Sequence, residues 1–511
     1  METVVEGVRR LWARLGSIVQ RPHALAAAAG GLALVAAATM FVACGGSSGS
    51  SNVTPPPVPA ILNINNSTNP SSPINRQIEI NGSGFQNAPG KVIFTQSSSG
   101  ITATVTPDAS GWTNSGTVVT VPAGNGTNNF TLPGDVNVTV QTTGGTSNAI
   151  KLTLVQTLTF NVNNVTWTTT IPLPTALGGL SAVAVPISDT SAFVVTAGGN
   201  DGTNDRNTVL CNTIATDGTV GPSWTNIPTT ALPATRAYAA MVEADPGNSL
   251  VSANSRFVYV IGGQQTSSDA PGGTKTVYVA SVNTNSGAVE SWSASSSLPE
   301  SLVGPAAALF NGYVYVVGGL RSDGTPSPNV YSAPVNADGT LGTWTTSPNA
   351  YPMGISFATA FGFAGKLYVL DGDSAHSTTP DQEGSTTSGV TNANFASALN
   401  GVVGPWTTTA TTVKNRKKHI TWNAFGQVIN AEGIYNGLSL ELERSVINAD
   451  STLGAWNGIT AVNAPGANVY NAAAIVSPLQ SPTATPRFIL IGGQSVLNQA
   501  PSMTVFYNNA P

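Results

Sequence analysis

The chain has only two cysteines, three histidines and five methionines in 511 residues, and 8% of its residues are charged. Two cysteines exclude a disulfide framework and a cysteine-ligated metal centre. Charge this scarce, against roughly 25% in an average protein, excludes the charged faces of coiled coils and helical solenoids. A formal net charge of -5 offers no basic footprint for nucleic acid. What the chain has instead is 54 glycines, 34 prolines and a hydrophobic fraction of 41%. Its surface must therefore be built from Ser, Thr, Asn and Gly, which is the profile of a β-rich, turn-rich, exported protein. The length exceeds the roughly 100 to 200 residues of one domain, so two or more units or one large repeat architecture are expected.

The one long apolar run lies near the start. Arg9, Arg10, Arg14 and Arg21 precede Ala24 to Ala43, a basic region followed by a hydrophobic one, as in a signal peptide. The run closes on Val42-Ala43-Cys44-Gly45, which resembles a bacterial lipobox, with Phe41 where that family usually has Leu. The resemblance implies cleavage after residue 43 and lipidation of Cys44. The alternative is an uncleaved signal anchor, since twenty apolar residues can just span a bilayer. Either reading predicts an exported, membrane-anchored protein, at the outer membrane, facing the periplasm or on the cell surface. Residues 44–60, rich in Gly, Ser and Pro, read as a flexible tether. Cys211, in the alternating stretch Thr208 to Asn212, reads as a buried strand thiol.

Residues 61–155 carry short alternating strands separated by turn signals, the pattern of an antiparallel sandwich. The segments Ile78-Glu79-Ile80-Asn81-Gly82-Ser83-Gly84-Phe85, Val119-Thr120-Val121-Pro122 and Val136 to Val140 before Gly144-Gly145 resemble an IPT/TIG immunoglobulin-like domain. Gly82 and Gly84 suit a tight turn, after which Phe85 can plug the end of the sandwich. The resemblance implies a spacer or adhesion module and no chemistry of its own.

Repetition organises residues 157–511. An apolar strand runs into a glycine pair at Gly198-Gly199, Gly262-Gly263, Gly318-Gly319 and Gly492-Gly493, with degenerate copies at Asp371-Gly372 and Glu432-Gly433. A second strand follows, then a hairpin signal such as Asp338-Gly339 or Asn400-Gly401, then a tryptophan: Trp224, Trp292, Trp344, Trp406 and Trp456. Strand, glycine pair, strand, hairpin and Trp resemble the kelch repeat of β-propellers, related to the central domain of galactose oxidase. The last repeat lacks its Trp strand, and the stretch Phe160 to Trp167 supplies one before the first repeat. The expected fold class is all-β: an immunoglobulin-like sandwich followed by a six-bladed kelch-like propeller closed by its own ends.

Chemistry is sparse. The Trp and Tyr residues read as blade core. Copper chemistry of the galactose oxidase kind would need Tyr and His ligands beside a thioether Cys, and no such set is present, so neither a cofactor nor a metal is expected. A kelch-type sugar mutarotase would draw on groups such as Arg206, Arg256, Arg321, Glu432 and Arg444 at one channel mouth. No catalytic residue is assigned. The repeat is broken by a long segment from 371 to about 391 with Asp371, Asp373, His376, Asp381 and Glu383. After Trp406 comes the one basic cluster beyond the leader: Lys414, Arg416, Lys417, Lys418 and His419. Antiparallel topology places these two segments on one face, side by side. They are the expected ligand-binding loops, for a glycan or an envelope or extracellular protein. A divalent cation at Asp371 and Asp373 is a weaker reading, because their spacing fits no calcium loop. The expected function is binding at the cell envelope; a sugar-modifying enzyme and a purely structural envelope protein are the alternatives.

Overall fold

The computed structural model describes residues 55–508, except 65–69, 75–76, 108, 110–111, 156–165, 189–190, 216–217, 226, 245–254, 267–272, 311, 337, 364, 378–388, 425, 435–441, 449, 460–468, 477–486 and 496–499. Cys44, Asp381 and Glu383 lie outside the described residues.

The first part is a pair of sheets. One orders Ala60–Ile64, Gln77–Ser83, Gly116–Thr120 and Trp112–Thr113; the other orders Ser71–Pro73, Ile150–Val155, Gly134–Thr142, Lys91–Gln96 and Ile101–Val105. Alternation explains them. Along Lys91–Gln96 burial switches at every residue, so Val92 and Phe94 enter a shared core with Ile78, Ile80, Val136, Val138 and Leu152. Phe85 is fully buried there, and a Cβ on Gly82 would come within 2.7 Å of its ring.

Six antiparallel sheets follow, and each contributes its first strand to a ring. Those strands are Ser181–Ser188, Ala240–Ala244, Ala306–Phe310, Thr359–Phe363, Ile420–Ala424 and Ala473–Val476. Each touches the next, and the sixth touches the first, so the sheets are the blades of a closed β-propeller. Blade 6 is completed from the other end of the chain: Trp167–Thr169 pairs antiparallel with Val505–Asn508, Trp167 opposite Asn508. This pairing covers the edge of Val505–Asn508 and leaves the three-residue Trp167–Thr169 as the outer strand of the blade.

The tryptophans fasten neighbouring blades. The indole N–H of Trp224, Trp292, Trp344, Trp406 and Trp456 donates to the carbonyls of Ile171, Thr230, Ser296, Asn349 and Ala410, each on the preceding blade, at 2.8 to 3.2 Å. The repeated Trp therefore has both an apolar and a directional reason to occur once per blade. Cys211 is fully buried in blade 1, and burial pushes its thiol up to about 12, so it stays an inert core group.

The two-sheet part meets blade 4 at the ends of its hairpins. Asn400 donates from Nδ2 to Ser115 Oγ at 2.7 Å, the Gly365 amide donates to the buried Glu79 carboxyl, and Val118 lies against Gly365. Thr359–Phe363 starts at the opposite rim, so that rim is left open by this contact.

Candidate functional site

Two circles of backbone hydrogen bonds define the open rim. Two residues before each inner strand stand Gly179, Tyr238, Gly304, Phe357, Lys418 and Asn471. Each donates its N–H to the carbonyl of the corresponding residue in the preceding blade, and Gly179 donates to Asn471, closing the circle at 2.8 to 3.3 Å. All six have φ between 50° and 63°. In the second circle the second residue of each glycine pair donates to the next blade: Gly199 to Arg236, Gly263 to Leu302, Gly319 to Ile355, Gly372 to Arg416, Gly433 to Val469 and Gly493 to Leu177. The backbone polar groups of the rim are thus spent on closure.

The inner circle surrounds a cavity at the channel mouth with about 140 Å³ open to water. Tyr238, Phe357, Lys418, His419 and Asn471 line it, with Ala239, Ala358 and Ala472 between them. Two glycines make room for the rings: a Cβ on Gly179 would lie 2.4 Å from the Tyr238 ring, and one on Gly304 would lie 2.6 Å from that of Phe357. The two rings meet edge-on at 5.9 Å. Lys418 Nζ sits 4.9 Å from the Phe357 centroid, 5.7 Å from that of Tyr470 and 6.0 Å from that of Tyr238. Rings at these distances hold an ammonium by cation–π attraction.

Behind Lys418 and His419, blades 4 and 5 differ from the other four. Where those have Gly198, Gly262, Gly318 and Gly492 at φ of 61° to 67°, blades 4 and 5 have Asp371 at 48° and Glu432 at 58°. A left-handed backbone on a residue with a Cβ costs about 1 kcal/mol or more, so the two side chains must be worth something locally. Both are buried in one polar cluster. Asp371 accepts from Thr412 Oγ1 and, at 2.9 Å, from Asn430 Nδ2. Glu432 accepts from the Val469 amide at 3.0 Å, and Arg416 donates to the Glu432 carbonyl at 2.7 Å. The Arg416 guanidinium also lies 3.6 Å from Glu443.

Burial dominates the electrostatics of this cluster. It raises the Asp371 carboxyl well above the carboxylate range and lifts Glu432 to about 8. Glu443 also rises through burial, with Arg416 pulling the other way. Burial, then the neighbouring Arg416 charge, lowers His419 to about 3, so its imidazole is neutral at ordinary pH.

The expected loop residues are brought together, but inside the protein. Lys417 donates from Nζ to Asp373 Oδ2 at 2.8 Å, which joins the acidic and basic segments as their topology implies. Asp371, Asp373, Arg416, Lys417, Lys418 and His419 are nonetheless all buried, whereas the sequence reading expected them on ligand-binding loops of the propeller face. The reason is register. Arg416-Lys417-Lys418 corresponds to Arg236-Ala237-Tyr238 and Leu302-Val303-Gly304, the segment by which each blade enters the ring. Lys414 is half-buried, and His376 is exposed on the rim, its Nε2 2.9 Å from the Asp323 carbonyl oxygen. Asp371 and Asp373 face different partners and do not converge on one ion.

The arginines considered for a sugar enzyme do not converge either. Arg256 pairs with Glu243 at 2.8 Å, Arg321 with Glu300 at 2.9 Å and Arg206 with Asp201, while Arg444 donates to Gln427. None lines the cavity. Tyr238, Phe357 and Asn471 were missed by the sequence reading. Their signal is positional: each stands two residues before an inner strand, where sister blades have glycine or lysine.

The structure of YjhT superposes with a TM-score of 0.44 and 12% sequence identity, over 66% of this chain and 95% of that chain. No family model and no curated protein matches the sequence. The chain is a β-propeller by its own strand pairing, and among the described residues a cavity at one channel mouth is flanked by a buried charged cluster.

Proposed function

We propose that this is an exported, envelope-anchored glycan-binding protein whose ligand is held at the channel mouth of a kelch-like propeller. In this reading lipid on Cys44 ties the chain to the membrane, and the IPT/TIG-like, immunoglobulin-type domain is a mount fixed to the rim opposite the site. The observation that carries the reading is the cavity wall. It joins the apolar rings of Tyr238 and Phe357 to a cation, an amide and a neutral imidazole from Lys418, Asn471 and His419. Stacking faces with a few directed polar groups suit a sugar, which has both apolar ring faces and hydroxyls.

Tyr238→Ala removes one ring and leaves the backbone circle in place. Saturable thermal stabilisation of the wild type by one class of mono- or oligosaccharide, weakened at least about tenfold by Tyr238→Ala, is the expected result. Equal stabilisation of both proteins would move the ligand off the channel mouth. A second reading, a sugar-interconverting enzyme on the same cavity, draws on the polar groups of that wall but not on His419 as a base, since an imidazole lowered to about 3 takes up a proton poorly at neutral pH. Polarimetry of freshly dissolved sugars with and without protein tests it.

A further inference from the structure

The outer face of the first sheet is patterned for water and yet is covered. Along Gln77–Ser83 the side chains alternate: Ile78 and Ile80 enter the core between the two sheets, and Glu79 and Asn81 fall on the other side. Val118 stands opposite Glu79, and Gly116 opposite Asn81. Polar residues in these places are what a sheet with one solvated face carries. Glu79 and Asn81 are nonetheless only 2% and 8% exposed, and the turns of blade 4 lie over this face. Gly365 donates its N–H to the Glu79 carboxyl, and a Cβ on Gly365 would meet Val118 at 2.9 Å. A Cβ on Gly116 would lie 3.6 Å from Leu399. At the edge of the contact Asn400 donates to Ser115 at 2.7 Å and to Thr113 at 3.4 Å. Opening a contact made on a polar face exposes little apolar surface, so this junction is reversible in a way that the apolar seams between blades are not.

Glu79 is the one titratable group among the described residues of that sheet's strands. Tyr313 and Tyr315 of blade 3 and Lys366 beside Gly365 are the titratable groups of the neighbouring blades. Tyr315 is raised chiefly by burial, with the Glu79 charge adding to it, and Lys366 is lowered by burial. Burial also raises the Glu79 carboxyl well above the carboxylate range, against the pull of the Gly365 N–H. Uncovered, the same carboxyl would stand in water with an ordinary value near 4.5.

We propose that Glu79 is a proton-dependent latch: protonated, it lets the two-sheet part dock on blade 4, and ionised, it drives the two apart. The docked carboxyl holds its proton more tightly than the free one. Docking is therefore at full strength below about pH 4.5 and weakens by about tenfold per pH unit as pH rises toward the docked value. The latch does not depend on what the channel mouth binds, because it lies at the opposite rim.

Hydrogen exchange of the Gly365 amide in the full chain reads the latch, since that N–H is tied to Glu79 only while the two parts are docked. Glu79→Gln keeps an acceptor for Gly365 and cannot ionise, so it serves as the reference at each pH. After correction for intrinsic exchange, wild-type protection should match that of Glu79→Gln near pH 4 and fall away from it by about tenfold per unit above about pH 4.5. Asn400→Ala should weaken docking about fivefold and bring complete loss of protection about 0.7 pH unit lower. Wild-type protection that tracks Glu79→Gln at every pH would overturn the latch. A fall that Asn400→Ala leaves in place would mean that Gly365 loses its own bond without the two parts separating, which overturns the release. Should Glu79→Gln fail to fold, the shift between wild type and Asn400→Ala decides the matter.

Discussion

Blades 1, 2, 3 and 6 and blades 4 and 5 solve one geometrical problem in two ways. Each must turn at positive φ after its second strand, where the chain meets the carbonyl of the next blade. The regular blades use glycine, and a Cβ at Gly198 or Gly318 would lie 2.2 Å from that carbonyl oxygen. Blades 4 and 5 place Asp371 and Glu432 there at nearly the same φ and surround them with Arg416, Asn430 and Glu443. Glycine keeps the ring closed at little cost; the acidic residues keep it closed at the cost of strain and of burying two carboxyl groups. The difference teaches where to look for function in a pseudo-symmetric ring: at the blades that depart from the cheapest solution, which here border the channel mouth.

The largest expected break in this comparison is at Arg416. Arg416→Ala leaves buried acidic groups without their cation and should lower stability by about 3 to 5 kcal/mol. At the matching position of a regular blade, Leu302→Ala removes only packing, at about 2 to 4 kcal/mol. The sharper sign is pH: the Arg416→Ala deficit should grow on going from acid to neutral, and the Leu302→Ala deficit should not. Denaturant midpoints at two pH values separate the two.

Exchanging the solutions is the next test. Gly318→Ala meets both a positive φ and a backbone oxygen and should cost about 2 to 3 kcal/mol. Asp371→Gly relieves φ but loses three side-chain hydrogen bonds, from Thr412, Asn392 and Asn430, so its net cost should be about 1 to 2 kcal/mol. A large loss for Asp371→Gly would mean that the cluster, and not the turn, holds blade 4 in place.

Acid and base also act on two groups of blades 4 and 5 in opposite ways. Glu432 is raised to about 8 in the folded protein, so folding binds its proton more tightly than the unfolded chain does. Its contribution is fully present below the unfolded value near 4.5 and is lost as pH rises toward 8. His419, lowered to about 3, runs the other way: stability falls as pH drops below about 6.5. Glu432→Gln keeps an acceptor for the Val469 amide and should flatten the fall between about pH 4.5 and 8 while leaving the loss that His419 causes at lower pH. The smallest effect belongs to the far rim of blade 4, where Asn400→Ala loses the hydrogen bond to Ser115 and the longer one to Thr113 and should cost about 1 kcal/mol.

Repetition made the ring legible. Glycine pairs and tryptophans recur because every blade needs the same turn and the same fastening, and the pairing of Trp167 with Asn508 follows from the missing last strand. Asp371 and Glu432 were also recognisable as displaced glycines. The site was legible only in part. Lys417 and Asp373 were expected as neighbours and are, but charge alone said "solvated loop", and register within the repeat decides burial. Reading Arg416-Lys417-Lys418 against Leu302-Val303-Gly304 would have placed the cluster inside.

The pairing of Trp167–Thr169 with Val505–Asn508 also sets an order of events. Its partners lie about 340 residues apart along the chain, so the strand that locks the propeller is made first and must wait for the last blade before it has anywhere to go. Until then blade 6 offers an unpaired edge, and the growing ring is open to any strand that fits it, including one from another copy. The position of the break is a property of the chain and not of the ring. Joining Asn508 to Trp167 through a short linker and reopening the chain between Leu320 and Val330 should give a propeller with the same blades, a different vulnerable edge and a different time at which it becomes safe.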